Sequence, residues 1–197
     1  MHISEGIISS PYILLGGTAI SIVGIAVGLR KMDFDEVPKV AILTSAFFIC
    51  SLIHVPIGPA SAHLVLNGLL GLLLGWACFP AILVALLMQA LFFQYGGITV
   101  LGINTLNMAL PAVIASYIGK YLIGRSRYYN AAGAFIAGAG AVLGAGVMLA
   151  LFLVISGQEF LPVAKMIVLA HLPVMIIEGV ICAVILNFIL KVRPEML

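Results

Sequence analysis

The sequence predicts an all-α integral membrane protein: one domain built as a bundle of seven transmembrane helices, N-terminus outside and C-terminus cytoplasmic. Three observations carry this. Of 197 residues, 63% are hydrophobic and 8% charged, against about a quarter charged in a typical soluble chain. Too few polar residues remain to cover an apolar core of that size. The apolar runs approach the roughly 20 residues needed to cross a bilayer. Finally, the basic residues fall between these runs in a pattern that favours one side of a membrane.

The opening MHISEGIISSP has no basic stretch and no small-residue cleavage site ahead of the first apolar run, so no signal peptide is expected. The first span is expected at 12–29, followed by the charged RKMDFDEVPK, and the second at 40–53, ending in IHVPIGPASAH. A long apolar run over 64–93 follows. Pro80 within it favours a break near 77–80, because proline in a helix interior removes a hydrogen bond and clashes with the preceding turn. Spans are thus expected at 64–77 and 80–93, then at 104–122, 131–155 and 163–190.

Charge supports the hairpin. With seven crossings, Arg30, Lys31, Lys39, Lys120, Arg125, Arg127, Lys191 and Arg193 share one side, and Lys165 alone lies towards the other. A single helix over 64–93 would send five of those cations outside, against the tendency of cytoplasmic loops to collect Lys and Arg. Seven crossings also place Met1, the 54–63 loop and the 94–103 segment together at the outer face, with His2, His54 and His63. His171 falls in the outer half of the last span. Gly24 and Gly28, Gly140 and Gly144, and Ala81 and Ala85 are spaced for close helix contact.

Several functions are excluded. A net charge of +2 with nine Lys and Arg is too little for a nucleic-acid surface. Cys50, Cys78 and Cys182 are an odd, widely spaced set inside apolar runs, which suits neither a disulfide framework nor a thiolate metal site. HExxH and GxSxG are absent and no paired carboxylates stand near one another within a span, so no enzyme is expected. A haem carrier would need two histidines within the bundle, and only His171 lies inside a span. No Walker motif occurs, so any ATP-driven step must draw on another chain.

The chemistry gathers at Met1 and His2. A terminal amine, the amide nitrogen of residue 2 and its imidazole can wrap one metal in fused rings, leaving one position of a square plane for a second imidazole. Nitrogen-rich planar sites suit copper(II) and nickel(II), and imidazole suits several late divalent metals. Each donor must shed a proton, so affinity should fall with pH. Glu5, Gln94, Asn104 and Asn107 are candidates to fix the terminal loop or orient the metal-bound imidazoles, and Gly96 and Gly97 would let the 94–103 segment bend against MHISEG. His54, His171 and Glu178 are weaker candidates as ligands. His171 and Glu178 stand seven apart on one helix face. For Glu178, a structural hydrogen bond within the bundle is the favoured reading.

Four stretches, MHISEG at the start, VPIGPASAHLVLNG at 55–68, FQYGGITVLGINTLNMA at 93–109 and HLPVMIIEG at 171–179, resemble the substrate-binding membrane subunits of cobalt and nickel energy-coupling-factor transporters, the CbiM/NikM family. They occur in order along nearly the whole chain. The resemblance implies a seven-helix subunit of a prokaryotic plasma membrane that imports cobalt or nickel, in some cases for cobalamin biosynthesis. It also implies a transmembrane coupling (T) subunit, a pair of cytoplasmic ATPases and often a small accessory membrane subunit. The ion is bound as substrate, with no permanent cofactor. Carried over residue by residue, the family's metal donors fall on Met1, His2 and His63. One departure is Ser4, where many members carry Pro or Met. The competing expectation, a stand-alone secondary divalent-metal transporter, predicts charged ligands at the membrane midplane, where this chain has chiefly Glu178.

Overall fold

The structure, a computed structural model, describes residues 3–8, 10–57, 60–193 and 196, and for 54–57 and 60–63 the backbone alone. Among the described residues the chain forms seven α-helices: α1 (Pro11–Lys31), α2 (Val37–Leu52), α3 (Asn67–Leu74), α4 (Cys78–Phe93), α5 (Leu101–Lys120), α6 (Arg127–Ser156) and α7 (Leu161–Val192). Proline opens α1, α2 and α7 within their first two positions, where its missing N–H costs nothing and its fixed φ suits the helix. Helix dominates as expected. The departure is a short antiparallel ladder, β1 (His54–Ile57) with β2 (Ala60–His63), which pairs His54 with His63.

Several helices outrun the expected spans, and α3 falls short of its own. The 64–77 reading gives way to the 8-residue Asn67–Leu74, about 12 Å of rise against a hydrocarbon thickness of about 30 Å. The break lies at Gly75–Ala77, a 3-10 turn entered through Gly75 at φ +55°, slightly ahead of Pro80. Alanine and other L residues resist that backbone angle, and glycine does not.

The chain doubles back at this turn. Asn67 reaches the carbonyl of Met108, Gly71 packs on Ala112, and the Trp76 indole donates to the Tyr117 hydroxyl, so α3 descends alongside α5 in the same direction. Helix α4 then returns past Phe79 against Gly24 to Gln89 against Ser51, near the end of α2. Among the described residues, five stretches are long and apolar enough to cross a membrane, with 67–93 counted as one; α2, at 16 residues, is shorter.

Small residues make the close contacts that the sequence suggested. Gly24 and Gly28 face Phe79 and the Trp76 carbonyl, and Gly140 and Gly144 face Ala115 and Pro111. The motifs are used within the bundle. Its main core runs from Phe47 and Leu70 through Phe79, Ile82 and Met108 to Val142 and Leu186. A second, smaller core unites Ile3 and Ile8 with Val100, Ile103, Leu149, Leu153, Ala164 and Ile167. Large apolar side chains such as Leu15, Val23, Ile42, Ile114, Leu151 and Phe188 stay exposed, as a lipid-facing surface requires.

Candidate metal centre

Helices α5 and α7 both pack on α6, and two irregular segments enter between them: residues 3–8, and the connection from β2 to Asn67. Each is held by side chains that satisfy its backbone, which an apolar interior demands of any non-helical chain.

The terminal segment has two anchors. The carboxamide of Asn104 grips the Ile3 peptide from both sides: its Oδ1 accepts the Ile3 N–H at 2.9 Å and its Nδ2 donates to the Ile3 carbonyl at 3.0 Å. Asn104 is 2% exposed and Ile3 1%, so neither peptide group could turn to water instead. Two residues on, the Glu5 N–H donates to the Gly96 carbonyl at 3.0 Å. The Glu5 carboxylate accepts the N–H and the hydroxyl of Thr99, each at 3.0 Å. These donors favour the charged form and hold the Glu5 carboxyl below its ordinary value. Gly97 is required at this contact: a Cβ there would lie 2.0 Å from Glu5 Cγ, at φ +132°. The side chains of Ile3 and Ile8 complete the anchoring in the smaller core.

The second segment is held by Glu178. Its carboxylate accepts the N–H of Val65 and the N–H of Leu66, the latter at 3.1 and 3.0 Å. Leu66 takes a left-handed backbone at φ +52° as α3 begins. These N–H groups stand at and just before the N-cap of α3, where no intrahelical carbonyl reaches them, and a carboxylate there complements the helix dipole. Asn67 secures the other side, donating to the Met108 carbonyl at 3.0 Å and accepting the Gly68 N–H at 3.0 Å. Glu178 thus makes the structural hydrogen bonds favoured from the sequence, and does so two residues after His63.

Of the expected site residues, Met1 and His2 lie outside the described residues, as do the side chains of His54 and His63. Glu5 and Asn104 hold the terminal segment and Glu178 the β2–α3 connection, while Asn107 lies one turn from Asn104 on α5 and His171 two turns from Glu178 on α7. Gln94 sits exposed at the C-cap of α4 in a left-handed conformation. Asn107 and His171 are buried, at 0% and 2% exposure. Among the described residues, no three His, Cys, Asp or Glu side chains stand together to hold a metal ion. Sequence reading missed Thr99, whose hydroxyl and N–H have no motif to mark them. It also missed Ser51 and Gln89, a buried pair in which the Gln89 amide donates to the Ser51 hydroxyl.

Comparison with known proteins agrees with this architecture. The family described as "Cobalt uptake substrate-specific transmembrane region" matches residues 2–196. A protein of Haemophilus influenzae named "Putative metal transport protein" is 40% identical over all of this chain and 97% of its own length. The cobalt transport protein CbiM of Sorangium cellulosum is 32% identical over all of this chain and 94% of its own. A crystal structure of a transition metal transporter superposes with a TM-score of 0.81 at 29% identity, covering 99% of this chain and 95% of that one.

Proposed function

The chain belongs to the CbiM family of cobalt-uptake transmembrane proteins, and on that premise we propose that it is the substrate-specificity subunit of an ATP-driven energy-coupling-factor importer for cobalt or nickel ions. It is a multi-pass membrane protein of a metal-transport family. The finer reading concerns the donors. The terminal amine of Met1, the amide and imidazole nitrogens of His2, and the imidazole of His63 capture the divalent ion at the outer face.

The observation that carries this reading is the double hydrogen bond between Asn104 and Ile3. Holding Ile3 by both its peptide groups favours a chelate made by the residues before it, because preorganisation lowers the entropic cost of chelation. The same end of the bundle receives the segment that follows His63, tied down at Val65 and Leu66 by Glu178. Ile3 and the 65–66 pair, each within two residues of a proposed donor, are therefore anchored from within the bundle.

Seven crossings with the N-terminus outside follow from the basic residues, and α3 and α4 supply a hairpin in which the shorter arm begins inside the bundle. Energy comes from partner chains: a coupling subunit, a pair of cytoplasmic ATPases and a small accessory membrane subunit. A relative in Rhodobacter capsulatus, the fused nickel transport protein NikMN, is 41% identical over 124 residues, an alignment that covers 35% of its length. That leaves room in a fused relative for further functions.

The test is a nickel and cobalt titration of the protein starting at Met1 beside a twin carrying one extra residue before it. The extension converts the amine to an amide and leaves every side chain in place. One ion bound by the first and none by the second is the expected result; equal binding by both would rule out the terminal chelate. Uptake in cells that survives removal of the ATPases would instead favour the stand-alone transporter.

A further inference from the structure

An open groove of about 1400 Å³ runs between the start of α6 and the end of α7. The two helices close on each other further in, where Gly179 receives the Phe135 ring and Gly138 meets Cys182. Towards the helix ends they present Ala132 and Ala183, too small to fill the space between them. The groove changes character along its length. Arg127, Asn130 and Lys191 stand at the rim, and Phe135, Val180 and Val184 line the deeper part.

The rim is built for an anion. No Asp or Glu among the described residues lines the groove, so two cations share it without a carboxylate between them. Asn130 already uses its Oδ1 to accept the Gly124 N–H at 2.8 Å, which leaves its amide hydrogens as the part that a ligand can meet. The first turn of α6 contains no acidic residue, and Ser126 makes no side-chain cap. The positive end of the helix dipole therefore adds to the same field.

The deeper part is built for an acyl chain. Val180 and Val184 are 51% and 65% exposed, so this wall is continuous with the lipid-facing surface of the bundle. From Lys191 to Val180 α7 rises about 16 Å, half of a hydrocarbon thickness of about 30 Å and so the depth of one leaflet. A small aqueous anion would use only the rim. The groove between α5 and α6, about 280 Å³ beside Pro111, Gly140 and Gly144, has no cation in its lining. A basic rim is thus particular to the α6–α7 groove.

We propose that this groove binds one anionic glycerophospholipid of the surrounding leaflet. Arg127 and Lys191 hold its phosphate, Asn130 donates to the headgroup, and one acyl chain lies along Phe135, Val180 and Val184. Basic pockets between membrane helices take anionic headgroups by the same combination of charge and adjoining apolar surface. The site is separate from the proposed metal donors and requires only that the chain lie in a bilayer.

Titration of the full chain in uncharged detergent with dioleoylphosphatidylglycerol, with bound lipid counted by native mass spectrometry, tests this. One copy should bind tightly, and dioleoylphosphatidylcholine should bind clearly more weakly. Each cation near an anionic lipid contributes about fivefold in affinity, so Arg127→Gln with Lys191→Gln should lose roughly 25-fold. Arg30→Gln with Lys31→Gln removes the same charge from the end of α1 and should leave affinity unchanged. Ala132→Phe fills the groove beneath an intact rim and should weaken binding although every charge remains. Should Ala132→Phe fail to fold, Val184→Trp takes its place. Equal losses in the two charge pairs would reduce the effect to diffuse surface charge and overturn the proposal. Unchanged affinity in the filled groove, equal binding of phosphatidylcholine, or displacement of the lipid by inorganic phosphate overturns it as well. Binding of neither lipid would also overturn it and leave the groove to a helix of a partner chain.

Discussion

Glu178, in the middle of the last helix, accepts the backbone N–H of Leu66 at 3.1 and 3.0 Å, across 112 residues of sequence. A carboxylate at membrane depth is costly unless it is paired or satisfied. Here it satisfies the backbone N–H groups at and just before the N-cap of α3, inside the bundle. The bond joins the segment after His63 to the helix that carries His171.

Replacing Glu178 by Leu leaves two buried N–H donors without acceptors, at about 1–3 kcal/mol each. Thermal unfolding in detergent should show a clear drop in stability, and nickel affinity should fall with it. Glu178→Gln keeps one acceptor oxygen and should land between the two. A Leu variant as stable as the parent would show that the carboxylate is not the fastening described.

Asn104→Leu removes both bonds to the Ile3 peptide while keeping the side-chain volume close. The helix itself should persist, since Leu is a good helix former. The terminal segment should loosen and metal binding should weaken at least about tenfold, in the range seen when groups that orient ligands are lost. Titration together with hydrogen exchange at the Ile3 amide measures both. Tight metal binding with an unprotected Ile3 amide would separate the anchor from the site.

Glu5 should make the loop acid-sensitive. The Thr99 N–H and hydroxyl lower its carboxyl from the ordinary 4.5, so the folded carboxyl holds its charge more firmly than the unfolded one. The resulting stabilisation is complete above about 4.5 and disappears as pH falls through the lower folded value. Protection of the Thr99 amide against exchange, corrected for the intrinsic pH dependence, should therefore decline below 4.5. In Glu5→Gln, which cannot titrate, that decline should be absent. Protection that falls equally in both proteins would assign the acid sensitivity elsewhere.

Gly97→Ala and Gly124→Ala form a controlled pair. Both glycines have positive φ, +132° and +95°, but an added Cβ meets Glu5 only at Gly97 and open space at Gly124. Both substitutions should reduce stability through backbone strain. Only Gly97→Ala should displace Glu5 and weaken metal binding. Equal loss of binding in both variants would show that backbone strain, rather than the Glu5 contact, governs the site.

Membrane character was legible in the sequence because it depends on averages over long apolar runs. The break in 64–93 was legible because Pro80 acts on its own backbone, whereas the role of Gly75 in entering the turn was not. Asn104 and Glu5 were legible as candidates, since buried or loop-borne polar residues beside apolar runs have few other uses. Their partners were not. Nothing local marks the Thr99 hydroxyl or the Ile3 peptide as the group that each would meet.

The sequence by itself determined that this chain lies in a membrane, that its helices pack through small residues, and which polar side chains are candidates for a metal site. Those properties follow from composition, helical spacing and the chemistry of single side chains. Only the tertiary structure decided that α3 is a half-length helix starting within the bundle, that Glu178 serves the Val65 and Leu66 N–H groups ahead of it, and that Asn107 and His171 hold buried polar atoms without a hydrogen-bond partner. Each of these depends on which distant backbone groups meet when the helices pack, because a polar atom in an apolar interior takes its partner from whatever lies within hydrogen-bond reach, however far away in sequence.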